Sequence, residues 1–173
     1  MDNQLIKIAV LHRYWILADS VRVVLRQRAS TPNQEAADVA KFGLEYVAFG
    51  ENASMVARLQ VWYALLYVVI EGYRELKLSF SPLDEVLASA DYVELLRRFR
   101  NATFHYQADP LTDKLIDFLA KDDSENWIRE LNKQLEAFFM QALPIESTLQ
   151  AVAQLGVPDI PSGSKLNFLL GQR

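Results

Sequence analysis

Between Leu5 and about Arg28 the chain carries neither glycine nor proline, and its apolar residues return every three or four positions. Leu5, Ile6, Ala9, Val10, Tyr14, Leu17, Val21, Val24 and Leu25 draw one stripe of a helix. Ile8, Leu11, Trp15 and Ile16 widen that stripe past one face. A helix apolar over so wide an arc is either central in a bundle or covered on its second side by a partner. The same punctuation governs the rest. Thr31-Pro32-Asn33-Gln34 reads as a capping box with proline at the first helical position, opening a helix to about Phe49 with Gly50 as its terminal glycine. Asn52 or Ser54 opens a helix to about Leu78, in which Gly72 marks close packing. Ser81-Pro82-Leu83-Asp84 repeats the cap pattern, and a helix from Asp91 runs through Arg100 to about Tyr106. Asp109-Pro110 starts a short helix to about Lys121. Asp122, Asp123 or Ser124 caps one to Leu143, and Pro144 kinks it before a last turn ending at Gly156. The fold class expected is all-α: an up-and-down helical bundle over residues 1–156 with short extra helices, and an extended C-terminal tail over 157–173.

Composition narrows the chemistry. With six glycines in 173 residues, no G-x-G-x-x-G and no G-x-x-x-x-G-K-[ST], nucleotide-binding α/β folds are excluded. Zero cysteines exclude thiolate metal sites, disulfides and a cysteine nucleophile, and two histidines, His12 and His105, cannot build a multi-histidine site in one chain. No cofactor and no metal are expected. The net charge of −4 confines any polyanion contact to a local basic patch. Met1–Gln4 lack a basic n-region, and the most apolar run, Val61–Ile70, is about half a membrane span. A cytoplasmic protein without membrane contact is the expectation.

One stretch concentrates chemistry. Asp91 to Asp109 places Arg97, Arg98 and Arg100 within four residues, followed by Asn101 and His105. On a helix Asn101 and His105 are one turn apart on one face. Arg100 stands about 140° away on the wheel, and converges on His105 only if the helix loosens there or two copies meet. Guanidinium forks onto phosphate oxygens, an amide orients, and imidazole exchanges protons near neutral pH. Such a set handles phosphodiesters. RNA brings its own nucleophile, the 2′-hydroxyl, so neither metal nor thiol is required.

Arg100-Asn101-Ala102-Thr103-Phe104-His105 resembles the R-N-x3-H form of the R-x4–6-H motif of HEPN domains. The resemblance implies a helical bundle acting as a homodimer, with two motifs facing each other. It implies a metal-independent endoribonuclease of toxin or phage-defence type, with RNA as substrate and an antitoxin protein as a partner. In it His105 is the acid/base, Arg100 the phosphate and transition-state ligand, and Asn101 the positioning residue. Arg97, Arg98 and Tyr106 would line the substrate path, and Glu71 would be the polar residue of an earlier helix that faces the motif. Where some HEPN toxins carry a tyrosine two places after the histidine, as the target of a nucleotidyltransferase antitoxin, this chain has Gln107; Tyr106 follows His105 directly.

Other readings of the same residues remain open. Arg97 and Arg98 also suit a solvated face paired to acids, with Glu94 one turn before Arg98. Glu71 also suits a structural ion pair with Arg74, Arg97 or Arg100. Trp62, Tyr63, Tyr67 and Tyr73 recur at core spacing, and Arg22, Arg26 and Arg28 form a basic helix end. The whole motif could hold together a non-catalytic dimeric binding or regulatory module, and the Trp and Tyr residues could line a small-ligand pocket.

Overall fold

A computed structural model describes residues 3–109 and 112–145. The described residues form seven helices and no strand: α1 (Asn3–Val23), α2 (Pro32–Phe42), α3 (Leu44–Glu75), α4 (Ser81–Leu87), α5 (Ala90–Phe104), α6 (Asp113–Leu119) and α7 (Ser124–Ala142). The all-α bundle expected from the sequence is what the chain adopts. The turns expected between Pro144 and Gly156, and the tail from Val157, lie outside the described residues apart from Pro144 and Ile145.

The first boundaries follow local chemistry. Thr31 caps α2: its Oγ1 accepts from the Gln34 backbone N–H at 3.4 Å, while Gln34 Oε1 accepts from the Thr31 N–H at 3.0 Å. The break expected at Gly50 falls instead at Gly43, whose φ of +91° is open to glycine and strained for other residues. Gly50 is helical, so α3 is continuous over 32 residues and about 48 Å. A second correction concerns α4. Ser81 is its first helical residue and Phe80 the cap; the Asp84 carboxylate reaches back to accept from the Phe80 N–H at 3.1 Å, Ser79 Oγ at 3.0 Å and Tyr73 Oη at 2.8 Å.

The C-terminal half of α3 is the spine of the bundle. Trp62, Tyr63, Ala64, Leu66, Tyr67, Val69, Ile70 and Tyr73 are all buried. By length and composition α3 could cross a membrane, yet its stretch from Val61 to Ile70 packs into this core. α1 lies antiparallel on one side: its Leu11 abuts Gly72, and the Val24 carbonyl just past its C-terminus meets Arg58. Gly72 thus marks a close helix approach, as the sequence suggested. α5 lies antiparallel on another side, with Leu87 just before it near Arg74 and its Phe99 against Tyr63. α6 and α7 close the core through Phe118, Trp127, Ile128, Leu131, Leu135 and Phe139. Tyr63 meets Phe99 and Phe118 with ring centroids 5.7 and 5.6 Å apart, and Tyr73 meets Phe138 edge-on at 5.3 Å. These rings pack against one another as core.

Candidate functional site

α5 presents Val93, Leu96, Phe99 and Ala102 to the core at three-residue spacing. That phase leaves Arg97, Arg98, Arg100 and Asn101 on the flanks. Arg100 is the most enclosed of the three arginines, with its side chain 25 % exposed. Its Nη2 forms an ion pair with Glu71 Oε2, its Nη1 donates to Asn101 Oδ1 at 2.9 Å, and its Cζ lies 5.7 Å from the Tyr67 ring centroid. Tyr67 and Glu71 are one turn apart on α3, so a single helical face supplies both the ring and the carboxylate that hold the guanidinium. Arg100 Nε is buried and makes no hydrogen bond among the described residues. A carboxylate, an amide and a ring therefore fix the fork from three directions.

The other two arginines are neutralised by acids of their own. Arg97 donates from Nε and Nη2 to Glu94, at 2.8 and 2.6 Å, and this hydrogen bond holds the Glu94 carboxyl below its usual range. Arg98 reaches across to Asp117 of α6 at 2.8 Å. The acid one turn before Arg98 thus serves Arg97 instead, because an i, i+3 fork fits the shorter reach. All three arginines of the motif are ion-paired.

His105 departs from the helical expectation. The helix ends at Phe104, and His105 is its C-cap with extended backbone (φ −118°, ψ 140°). Its N–H still donates to Asn101 O at 3.1 Å. The side chain has left the wheel, so the shared face expected for Asn101 and His105 does not exist; the helix loosens where convergence with Arg100 would require it. His105 is exposed, and its imidazole makes no hydrogen bond among the described residues. Tyr106 is 93 % exposed and Phe104 49 %.

Two contributors escaped the sequence reading. Gln107 Nε2 donates to the His105 and Tyr106 carbonyls at 2.9 and 3.0 Å, and its Oε1 accepts from Lys114 at 3.2 Å. It shapes the turn that displays His105. Tyr67, assigned to the core, also floors Arg100; its i, i+4 spacing to Glu71 was the available signal. Among the described residues no group of three or more His, Asp or Glu side chains is placed to hold a metal ion. Two clefts of about 300 and 340 Å³ lie at the far end of the molecule, around the α1–α2 loop and the N-terminal half of α3, and not at the motif. In comparisons with known proteins, the chain matches no family model, no curated protein and no solved structure.

Proposed function

We propose that the chain is a metal-independent endoribonuclease of HEPN type, soluble in the cytoplasm and acting as a homodimer on RNA. The observation that carries this reading is the contrast at the end of α5: a guanidinium fixed by Glu71, Asn101 and Tyr67, and five residues on, just past the helix end, an exposed imidazole that makes no hydrogen bond among the described residues. In this reading the 2′-hydroxyl of RNA attacks the adjacent phosphorus. One His105 takes its proton, and the 5′-oxygen leaves with a proton from a second acid. Arg100 bears on the phosphate oxygens, where charge builds in the transition state. Asn101 orients the guanidinium through its Oδ1. A chain with one histidine at the site has one proton carrier, and a second copy supplies the other. Arg97, Arg98 and Tyr106 would flank the strand, and an antitoxin protein would be the natural counterpart of a toxin.

The first prediction follows. Wild-type protein cleaves single-stranded RNA in EDTA and leaves a 2′,3′-cyclic phosphate, and His105→Ala lowers the rate by about 100-fold or more while its far-UV circular dichroism is unchanged. Wild-type protein that leaves a random-sequence RNA pool and total RNA intact sinks the reading.

A second reading has its own support. Each arginine of the motif is already paired to a carboxylate, which is how a structural brace between α3, α5 and α6 would look. A non-catalytic dimeric binding module with His105 merely on its surface would show no RNA cleavage, and His105→Ala would behave as wild type.

A further inference from the structure

α3 carries a stripe at alternating three- and four-residue spacing, apolar or aromatic but for Gln60: Tyr46, Phe49, Ala53, Val56, Gln60, Tyr63, Tyr67 and Ile70. Repeats of this kind keep one line of a helix facing one partner. The C-terminal half of the line has its partner inside the chain, since Tyr63 and Tyr67 lie under α5. α5 ends at Phe104, too short to follow α3 back to its start, and α2 contributes no buried residue. Among the described residues the N-terminal half of the same line is therefore uncovered.

We propose that this uncovered face is a homodimer interface, occupied by the same face of a second copy. It is built from Tyr46, Phe49, Gly50, Ala53, Val56 and Ala57, all exposed. Phe42, Tyr46 and Phe49 are 50, 58 and 73 % exposed, with the first two rings in tilted contact, centroids 4.8 Å apart. At roughly 150–250 Å² per aromatic side chain they leave on the order of 300–450 Å² of ring surface in water. A stable dimer buries about 800 Å² per partner, of which about 500 Å² is apolar, so these three rings provide more than half of it. Gly50, Ala53 and Ala57 between the large residues let a second helix approach closely.

Charge selects the occupant. From Tyr46 to Ala57 the only ionic side chain is Glu51, and it is turned away, accepting from the Ala29 and Ser30 backbone N–H groups at 2.9 and 3.1 Å and from Ser30 Oγ at 3.0 Å. Those bonds hold its carboxyl below the usual range. A helix lying on a lipid surface sets several Lys and Arg along its polar border; here Lys41 stands over the Phe42 ring at 4.8 Å, Arg58 is turned onto the Val24 and Gln27 carbonyls, and between these two residues there is neither Lys nor Arg. A neutral, self-complementary line suits an isologous contact. The exposed apolar residues of α1 offer a poorer one, because Lys7, Arg13 and Arg22 are interspersed with Ile6, Val10, Leu17 and Val23. The face is also preformed: Arg58 Nη1 donates to the Val24 and Gln27 carbonyls at 2.5 and 2.6 Å, and with Glu51 it pins the α1–α2 loop to α3. This inference stands whether or not RNA is cleaved.

The full chain has no cysteine, which makes the test clean. Light scattering after gel filtration at about 100 µM should give twice the chain mass, well above the micromolar dissociation constants of modest interfaces. Phe49→Glu sets like charges into the contact and should raise the dissociation constant by roughly 100-fold or more. Its thermal melting below the dimer concentration should match wild type, because Phe49 is largely exposed in one chain. Ala53→Cys, at the middle of the line, should form a disulfide-linked dimer under mild oxidation, while Lys133→Cys on exposed α7 should not. A wild-type monomer at that concentration overturns the proposal, whether its face is covered by its own C-terminal residues or by phosphatidylglycerol vesicles that it sediments with. A dimer indifferent to Phe49→Glu overturns it as well. RNA cleavage by His105 is a separate readout, so failure of one leaves the other standing.

Discussion

Arg100 is the residue on which the candidate site turns, and its enclosure gives its neighbours a measurable weight. The guanidinium forks between Glu71 and Asn101, a geometry that lysine cannot reproduce with one ammonium. Glu71 is 42 % and Arg100 25 % exposed, so their attraction is screened and falls between a surface pair and a buried one. Glu71→Gln and Arg100→Lys should each lower the urea-unfolding free energy by about 1 kcal/mol, and a double-mutant cycle should return a coupling of about 0.5–1 kcal/mol. Coupling near zero would mean that the pair is incidental and that Tyr67 alone positions the guanidinium. This residue was the most legible part of the site: an acid interrupting the apolar run of α3 announced a partner, and an arginine-rich turn announced where it was. His105 was less legible. Whether a helix ends at residue 104 or two residues later is decided by the side chain of Gln107 folding onto two carbonyls, and no periodicity records that.

Elements, rather than residues, explain which boundaries the sequence concealed. Thr31 and Gln34 state their cap in local chemistry, and the structure reproduces it. Gly43 and Gly50 both follow an aliphatic or aromatic stretch, and either could end a helix by composition. Only Gly43 takes a positive φ, because α2 must turn there to lie against α3 while its N–H still bonds Val39 O. Gly72 is legible for the opposite reason. It sits in the middle of an apolar run where only close packing favours it, and a Cβ there would collide with Leu11 Cδ1 of α1. Alanine gains about 1 kcal/mol of helix propensity over glycine. Overpacking against a buried leucine costs about 1–3 kcal/mol. Gly72→Ala alone should therefore destabilise by up to about 2 kcal/mol. In a Leu11→Ala background, where the colliding methyl is gone, the same substitution should stabilise by about 0.5–1 kcal/mol. A penalty that persists unchanged in that background would show that the α1–α3 approach is not what fixes glycine at this position.

At the scale of the whole molecule, acidity acts through two separable sets of groups. His12 of α1 lies between Trp15 and Phe139 of α7, with ring centroids 5.6 and 4.9 Å away. Burial in that seam lowers its pKa below the ordinary 6.5. The folded chain therefore prefers neutral His12, while the unfolded chain takes up a proton near pH 6.5. Stability from this group is fully present above pH 6.5 and is lost as pH falls from there through the lower native value, since the unfolded state then binds more protons. The carboxylates act later. Glu51 is held down by the Ala29 N–H, and Glu94 and Asp91 by hydrogen bonds from Arg97 and Lys121; their contribution is present above the ordinary 3.8–4.5 and is lost as pH falls through their depressed values. The His12 window opens at the ordinary histidine value, above the ordinary carboxylate values where the second window opens, so its upper part is readable alone. The urea midpoint of wild-type protein should decline between pH 7 and about 5.5, the range just below the unfolded histidine value. His12→Phe should keep the α1–α7 ring contact and flatten that decline, with the acid limb below pH 4.5 intact. A His12→Phe variant that still declines as steeply above pH 5.5 would place the titrating group elsewhere, with His105 the only other histidine to examine.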